Sequence, residues 1–228
     1  MKVAILFSGG KDSTYVTWVV QHQAWEIASL LTVRPRSMES MMFHHPNVEW
    51  TRLQAEAMGL PHDMVDARGE NELVELREKL STLKRSHGIS GLVSGAVASD
   101  YQKTRFDNLC DGIGLKSYSP LWHKNPRLLV EDLKNAGFQI ILTAVAAKGL
   151  DESWLGGELS DHEWSRLEKL SLMHGIHLTG EGGEYESFVL DAPHFKETVE
   201  IEKSRKDWQG DSGRLVIESA SLRNKPGN

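Results

Sequence analysis

The segment of this chain best suited to chemistry is Ser8–Ser13, with the sequence Ser-Gly-Gly-Lys-Asp-Ser, which directly follows the apolar run Val3–Phe7. Two adjacent glycines allow a tight turn that brings several backbone N–H groups to one point, and a following helix adds the positive end of its dipole. The Lys11 ammonium and the Ser8 and Ser13 hydroxyls offer further donors to phosphate oxygens. The segment therefore predicts a nucleotide phosphate site, with ATP as the expected nucleotide.

The spacing within this segment separates it from two common phosphate loops. A Walker A loop needs G-x-x-x-x-G-K-[ST], whereas here Asp12 follows Lys11 and Ile5 stands where the first glycine belongs. The G-x-G-x-x-G spacing of a dinucleotide fingerprint does not occur here either. The alternative is an ordinary Ser/Gly turn, which the apolar strand before it and the Lys-Asp-Ser sequence after it disfavour.

A second polar segment, residues 95–105, follows another predicted strand and offers a carboxylate, a phenol, an amide and a guanidinium within a short stretch. Its Lys103 and Arg105 are suited to a phosphate or a substrate carboxylate. An alternative stays open, in which Ser99 or Asp100 simply caps a helix that begins here.

Two further segments carry candidate binding residues. In the first, Trp122 of segment 119–124 either forms the wall of a pocket or packs in the core. In the second, residues 180–186 contain three glycines and three glutamates around Tyr185. Such a composition is poor for a helix or strand and suits a cation or Mg²⁺, although an acidic surface loop is the alternative.

The order of helix and strand patterns predicts the fold that positions these segments. Through the first two thirds of the chain, apolar strands alternate with helical patterns, which include predicted helices at Ser13–Gln23 and Lys103–Leu109. This alternation indicates a parallel sheet with ligands at the carboxyl ends of its strands. We therefore predict an α/β fold, a Rossmann-like sheet with helices on both faces, and we assign Gln139–Val145 to its last strand. A smaller α+β region is expected to follow, so the predicted domains are 1–148 and 149–228.

Composition narrows the class of protein. The chain has 228 residues, a net charge of −6 and a pI of about 5.9, which argues against non-specific nucleic-acid binding. Without a signal peptide or an apolar stretch approaching the ~20 residues of a membrane span, the expected location is the cytoplasm, with no membrane partner. The single cysteine, Cys110, excludes internal disulfides and Cys-x-x-Cys motifs, and we expect it to be buried.

The long connection Arg34–Asn47 is a candidate lid, because loops of this length are uncommon in compact domains unless they are functional. His44 is its most interesting member. Zinc is not expected at the histidines, since they lack the cysteine or carboxylate partners of a zinc pattern.

Taken together, the motifs resemble the diphthine–ammonia ligase family of N-type ATP pyrophosphatases, also called the PP-loop superfamily, in its short form. The resemblance rests on five segments in order: SGGKDS at 8–13, LQAEAMGLP at 53–61, SDYQKTR at 99–105, PLW at 120–122 and GEGGEYES at 180–187. The first is shared by many ATP pyrophosphatases, whereas the SDYQ and GGEYE segments distinguish this family. The resemblance covers nearly the whole chain.

The resemblance implies a ligase that adenylates the carboxylate of diphthine on translation elongation factor 2 with ATP and Mg²⁺, and then amidates it with ammonium to give diphthamide, AMP and pyrophosphate. Lys11, Asp100 and Arg105 are then the expected catalytic residues. ATP is expected at Ser8, Gly9, Gly10, Lys11, Asp12, Ser13 and Gly95. Asp12 is the tentative Mg²⁺ ligand. The expected substrate-binding residues are Ser99, Asp100, Tyr101, Gln102, Trp122, Glu181, Gly182, Gly183, Glu184, Tyr185 and Glu186.

The chemistry of diphthine suggests one assignment within that set. Its trimethylammonium group cannot donate hydrogen bonds and is best met by aromatic faces and diffuse negative charge. We therefore expect Tyr185, Glu184 and Glu186 to receive it, together with Trp122.

Two competing interpretations stay open. The chain is alternatively an ATP pyrophosphatase that acts on a small-molecule carboxylate or a tRNA base, or a non-catalytic ATP- or AMP-binding module. Direct contact with nucleic acid is not expected, and a homodimer is compatible with the sequence.

Overall fold

The computed structural model describes residues 1–35, 47–67 and 72–225. The chain divides into two compact units. The first comprises Met1–Ser8 and Asp12–His123, and the second comprises Gly9–Lys11 and Lys124–Asn228. Residues 36–46 of the candidate lid, including His44, lie outside the described residues.

The first unit contains five parallel strands joined by helices, as the alternating sequence patterns predict. The elements are β1 (Lys2–Leu6), α1 (Lys11–His22), β2 (Glu26–Arg34), a short 3-10 helix (Val48–Trp50), α2 (Thr51–Met58), β3 (His62–Asp66), α3 (Leu73–His87), β4 (Gly91–Val93), α4 (Asp100–Asp111) and β5 (Lys116–Tyr118). The predicted parallel α/β sheet is therefore confirmed.

The strand order in this sheet is β3-β2-β1-β4-β5. The chain runs outward from β1 through β2 to β3, and then returns to the other side of β1 for β4 and β5. The order thus reverses between β1 and β4, which pair in parallel from Val3 opposite Gly91 to Ile5 opposite Val93. In open parallel sheets such a reversal leaves a crevice at the carboxyl ends of the two strands.

One core cluster of this unit is formed where the apolar faces of the helices meet the sheet. On α3, Leu76, Leu80 and Leu83 recur at helical spacing and are all buried. Cys110 of α4 lies in the same cluster and is 1% exposed, which confirms the expectation for this residue. These contacts stabilise the sheet from which the loops at its carboxyl edge project.

The second unit is built on a four-stranded antiparallel sheet with the order β7-β6-β9-β8. Its elements are α5 (Pro126–Asn135), β6 (Gln139–Val145), a 3-10 helix (Glu152–Trp154), α6 (Asp161–His174), β7 (Tyr185–Asp191), β8 (Glu197–Gln209) and β9 (Ser212–Asn224). This sheet and its helices form the α+β region that was predicted for the end of the chain.

The assignment of β6 to the parallel sheet was wrong. The strand has the predicted bounds, Gln139–Val145, but it pairs antiparallel with β7 and β9. Both β6 and the preceding helix therefore belong to the second unit, and the chain divides between His123 and Lys124, whereas the predicted boundary lies after residue 148. Within the described residues, no helix combines the length and apolar character needed to cross a bilayer.

Candidate functional site

The two serines of the glycine-rich loop face each other across the turn that follows β1. The Ser8 N–H donates to Ser13 Oγ at 3.2 Å, and the two hydroxyl oxygens are also 3.2 Å apart. Thr17 Oγ1 donates to the Ser13 carbonyl at 2.8 Å, one turn further along α1. Gly9 has a φ of 79°, which glycine adopts without steric cost. Because α1 begins at Lys11 rather than at Ser13 as predicted, the loop is shorter than expected.

Gly95, which follows β4, packs against the start of α1. A Cβ atom at this position would lie 2.9 Å from both the Asp12 carbonyl carbon and the Ser13 nitrogen. The site thus leaves room for a glycine only, and the backbone at residue 95 lies directly beside the loop. The structure therefore brings together the loop after β1 and the loop after β4.

The loop after β5 joins the loop after β4 at the same edge of the sheet. Ser94 Oγ lies 3.0 Å from Ser119 Oγ, and the His123 N–H donates to the Val97 carbonyl at 2.8 Å. Trp122 is half-buried, and the Lys103 ammonium lies 5.7 Å from the centre of a Trp122 ring. Trp122 therefore borders the segment that carries the α4 residues.

Helix α4 begins with a capping residue, and its first turns carry three exposed side chains. The Ser99 hydroxyl accepts from the Gln102 N–H at 3.4 Å, so Ser99 is the N-cap and α4 begins at Asp100, earlier than the predicted Lys103. Asp100, Tyr101 and Arg105 are exposed. The Arg105 guanidinium carbon lies 4.2 Å from the centre of the Tyr101 ring, and this cation–π contact holds both side chains on one face of the helix.

Lys11 is buried within the second unit and contacts the segment near β7. Its exposed fraction is 2%. Its N–H donates to Ser187 Oγ at 3.1 Å, and its ammonium donates to the Thr179 carbonyl at 2.5 Å. The ammonium also lies 5.3 Å from the centre of the Tyr185 ring. The lysine of the loop thus has partners that lie about three quarters of the chain away in sequence.

The glycine-rich segment before β7 is a tight turn held by its own side chains. Glu184 Oε1 accepts from the His177 N–H at 2.7 Å, and Glu184 Oε2 accepts from the Gly182 N–H at 2.8 Å. Tyr185 is 4% exposed, and its hydroxyl donates to the Leu178 carbonyl at 2.6 Å. Glu184 and Tyr185, two of the four residues expected to receive a trimethylammonium group, therefore stabilise the turn itself, and the Tyr185 ring faces the Lys11 ammonium.

The remaining residues of this segment differ in exposure. Gly182 and Gly183 are exposed, and Glu181 and Glu186 are half-buried. Gly180 has a φ of 75°, and a Cβ there would lie 2.9 Å from the Tyr185 carbonyl oxygen. The segment thus needs glycine at this position because any side chain would strain the turn and collide with Tyr185.

The residues present fit a magnesium ion only in partnership with a nucleotide. Among residues 1–35, 47–67 and 72–225, no group of three histidine, cysteine or acidic side chains is arranged to hold a metal. Mg²⁺ commonly uses one or two carboxylates and completes its octahedron with water and substrate phosphates. Asp12 lies in the first turn of α1, which suits it to such a shared site.

Comparison with known proteins identifies the family. The family model for the diphthamide synthase N-terminal domain matches residues 1–117, and that for the C-terminal domain matches residues 125–222. The diphthine–ammonia ligase of Bos taurus is 35% identical over 225 residues, which cover 90% of this chain and 84% of the bovine protein. The chain belongs to the diphthine–ammonia ligase family.

A second relative, the human protein, agrees with that membership of a family of ligases. The human diphthine–ammonia ligase is 33% identical over 96% of this chain and 86% of its own length. A crystal structure described as a predicted subunit of a tRNA methyltransferase from Methanocaldococcus jannaschii covers 85% of this chain at 17% identity, with a TM-score of 0.44. The two family models meet between residues 117 and 125, close to the division between the two units of this ligase.

Sequence reasoning missed the partners of Lys11. Nothing local to residues 8–13 indicates that Thr179, Ser187 and the Tyr185 ring surround this lysine. The dense glycines at 180–183 were the available signal, because they indicate close backbone approach, but they do not identify what approaches.

Proposed function

We propose that this chain joins ammonia to the carboxylate of diphthine on translation elongation factor 2, using ATP and releasing AMP and pyrophosphate in the cytoplasm. Membership of the diphthine–ammonia ligase family supports the reaction class and the diphthine substrate. The observation that carries the proposal is the loop Ser8–Ser13 at the β1/β4 reversal, against which Gly95 packs. This is the position at which open parallel sheets bind nucleotides.

The reaction needs ATP because a carboxylate is unreactive toward ammonia. In the proposed first step, a diphthine carboxylate oxygen attacks the α-phosphorus of ATP, and the bond to the β-phosphate oxygen breaks to release pyrophosphate. In the second step, the ammonia nitrogen attacks the acyl carbon, loses a proton and displaces AMP. The enzyme's contribution is positioning and neutralisation of phosphate charge.

We assign the pyrophosphate to the loop at the start of α1. The Ser8 and Ser13 hydroxyls lie across the turn from each other, so both can donate to one phosphate group. Gly9 and Gly10 add backbone N–H groups, Lys11 adds its ammonium, and the N-terminus of α1 adds its dipole. Asp12 would hold Mg²⁺ jointly with the phosphates, where the ion would neutralise charge on the departing pyrophosphate.

We assign the α-phosphate and the acyl group to the first turn of α4. Arg105 and Asp100 are exposed there, Gln102 is half-buried, and Tyr101 stacks against Arg105. A guanidinium in this position can stabilise the charge that develops on the α-phosphate during attack. Ser99 supports this turn as its N-cap.

For the trimethylammonium group of diphthine, Glu181 and Glu186 are the better candidates. Both are half-buried and carry negative charge on either side of the turn. Glu184 bridges two backbone N–H groups of the turn, and we assign it to the turn itself. We therefore assign the diffuse negative charge of this cation site to Glu181 and Glu186. The Trp122 face remains an independent candidate for cation–π contact.

Free ammonium is the expected nitrogen source. A glutaminase that releases ammonia through a cysteine thiolate would need a reactive cysteine, and burial raises the pKa of Cys110, the only cysteine in the chain, to about 12. The protein substrate, diphthine-bearing elongation factor 2, and ammonium would then bind as separate partners.

The decisive experiment measures AMP formation from ATP with diphthine-bearing elongation factor 2 and ammonium each present or omitted. We expect AMP only when both are present, and we expect Lys11→Met to abolish it while Lys169→Met, an exposed lysine of α6, does not. AMP formation that does not depend on the elongation factor would overturn the proposed substrate. It would favour a ligase acting on a small-molecule carboxylate. Tight AMP binding without turnover would favour a nucleotide-binding module.

A further inference from the structure

The tripeptide Gly9–Lys11 belongs to the second unit because residues near β7 hold it at three points. The Val189 N–H donates to the Gly9 carbonyl at 3.1 Å. Ser187 Oγ accepts from the Lys11 N–H, and the Thr179 carbonyl accepts from the Lys11 ammonium. These contacts fix the backbone of the phosphate loop and the head of its lysine separately.

The Thr179 carbonyl has a fixed direction because its own peptide group and the preceding one are both restrained. In the preceding peptide group, the Leu178 carbonyl accepts from the Tyr185 hydroxyl at 2.6 Å. In the same peptide group as the Thr179 carbonyl, the Gly180 N–H donates to the His177 carbonyl at 2.8 Å. A carbonyl that is restrained in this way can orient an ammonium without having to be ordered first.

Glu184 closes this turn from both ends. One carboxylate oxygen accepts from the His177 N–H and the other accepts from the Gly182 N–H, so a single side chain spans the segment that contains Thr179. Hydrogen bonds to an ionised acceptor are roughly twice as strong as those between neutral groups. Glu184 therefore restrains, through two charge-assisted hydrogen bonds, the turn whose Thr179 carbonyl binds Lys11.

We propose that Glu184 is a positioning residue for Lys11: by bridging His177 and Gly182, it holds the Thr179 carbonyl and the Tyr185 ring where they direct the lysine ammonium for phosphate binding. This inference rests on the proposed ATP site. It gives the GEGGEYES motif a second role, the positioning of Lys11, besides the proposed binding of substrate. Glu184 touches neither phosphate nor diphthine in this role, since both of its oxygens bind backbone N–H groups.

The test uses glutamine, which nearly preserves the shape of the side chain. An amide has one acceptor oxygen and one NH₂ donor, so Glu184→Gln keeps one of the two bonds and sets a donor against a backbone N–H at the other. Glu184→Asp keeps both acceptor oxygens on a shorter stem and should recover part of the effect. Glu131→Gln, an exposed glutamate of α5 in the same unit, is the matched control.

The readout is the dissociation constant of α,β-methylene-ATP, a non-cleavable analogue, measured by calorimetry on the full chain. We expect Glu184→Gln to weaken binding about tenfold, less than the loss of a direct donor, and Glu131→Gln to leave it unchanged. In a double-mutant cycle with Lys11→Met, the second substitution should add nothing, because Glu184 acts through Lys11. A merely structural role would instead give additive losses.

Several results would overturn the inference. These are additive losses in the cycle, a Glu184→Gln protein that binds the analogue as tightly as wild type, and a wild-type protein that does not bind the analogue at all. If Glu184→Gln does not fold, the cycle is run with Glu184→Asp, which keeps the carboxylate but draws it back from the His177 and Gly182 N–H groups. Wild-type binding of the analogue without diphthine-dependent AMP formation would refute the proposed function and leave the positioning role intact.

Discussion

The backbone nitrogen of Ser13 lies 2.9 Å from the point at which a side chain would begin at Gly95. The Asp12 carbonyl carbon is equally close, so the atoms that would have to move belong to the backbone of the loop Ser8–Ser13. The contact places the backbone of the loop after β4 directly against the start of α1.

A first prediction follows for Gly95→Ala. Over-packing of this kind costs about 1–3 kcal/mol, and here the cost is relieved by displacing the backbone at Asp12 and Ser13. We expect ATP binding to weaken at least tenfold, with a moderate fall in thermal stability, as measured by calorimetry and thermal unfolding. Gly157→Ala is the control, because the nearest atom to its Cβ, the Ser153 carbonyl oxygen, is 3.9 Å away. Unchanged ATP affinity in Gly95→Ala would contradict the prediction.

Arg105→Ala should separate catalysis from stability. The side chain is exposed and contacts the Tyr101 ring on the surface of α4, so the free energy of unfolding should change by no more than about 0.5 kcal/mol. If the guanidinium stabilises charge on the α-phosphate, kcat for AMP formation should fall roughly a hundredfold. Arg85→Ala, an exposed arginine of α3, should keep the wild-type rate. Equal rates for the two variants would remove Arg105 from the catalytic residues.

Tyr185 should affect ATP more than diphthine. Its ring is buried and faces the Lys11 ammonium, so Tyr185→Ala should raise KM for ATP more than KM for the protein substrate. The same change should cost about 3–5 kcal/mol of stability, as for other large buried aromatic residues. Tyr185→Phe keeps the ring and should cost about 1 kcal/mol for the lost hydrogen bond. A selective rise in KM for diphthine would instead restore the sequence-based assignment of Tyr185 to the trimethylammonium group.

His62 should make the stability of the first unit depend on pH. Its Nε2 lies 2.9 Å from Thr32 Oγ1 and 3.2 Å from Thr51 Oγ1. Burial, assisted by the nearby Arg52 charge and opposed by Asp63, lowers the pKa of His62 below its ordinary value of 6.5. Just below pH 6.5, the unfolded chain therefore binds more protons than the folded chain. The contribution of His62 to stability is thus complete above that pH and is lost as the pH falls toward the folded-state pKa.

The corresponding measurement is urea unfolding at a series of pH values from 7.5 to about 5, within the range where histidine titrates. His62→Gln should flatten the decline, since glutamine does not titrate. His87→Gln, an exposed histidine at the end of α3, should leave the decline unchanged. A decline that persists unaltered in His62→Gln would assign the pH dependence to other groups.

Cys110 should be inert in the folded protein. Burial, with a smaller contribution from the Asp107 charge, raises the pKa of this thiol to about 12, so almost no thiolate exists at neutral pH. We expect a thiol reagent such as an aromatic disulfide to react with the native protein only as fast as the chain opens, and to react promptly in denaturant. Rapid modification of the native protein would contradict the buried position.

The elements of the first unit were predictable because their signals are local. Short apolar runs such as Val3–Phe7 followed by amphipathic helices such as α3 specify a parallel sheet, and the carboxyl ends of β1, β4 and β5 then place three polar segments at one edge. The bounds of α1 and α4 were less accurate, since both helices begin two or three residues before the predicted start. At α4, Ser99 rather than Asp100 caps the helix.

The pairing of β6 and the environment of Lys11 were not predictable from the sequence. A run such as Gln139–Val145 has the same apolar character in a parallel and an antiparallel sheet when both faces are covered, so only its partners decide. The bond from Lys11 to the Thr179 carbonyl joins residues that are 168 positions apart. Every residue has a backbone carbonyl, so the sequence does not indicate which carbonyl binds a lysine. The glutamates of the same segment were assigned a function because of their charge.

Because Gly9–Lys11 belongs to the second unit, few fragments of this polypeptide can be expected to function by themselves. A fragment ending at His123 would retain the whole parallel sheet and both serines of the loop. It would lack Thr179, Ser187 and Val189, which form hydrogen bonds with Gly9 and Lys11. Expression of such a fragment would therefore yield the parallel sheet with the tripeptide Gly9–Lys11 unsupported. A split version of the enzyme would recover activity only when the missing half is supplied in trans.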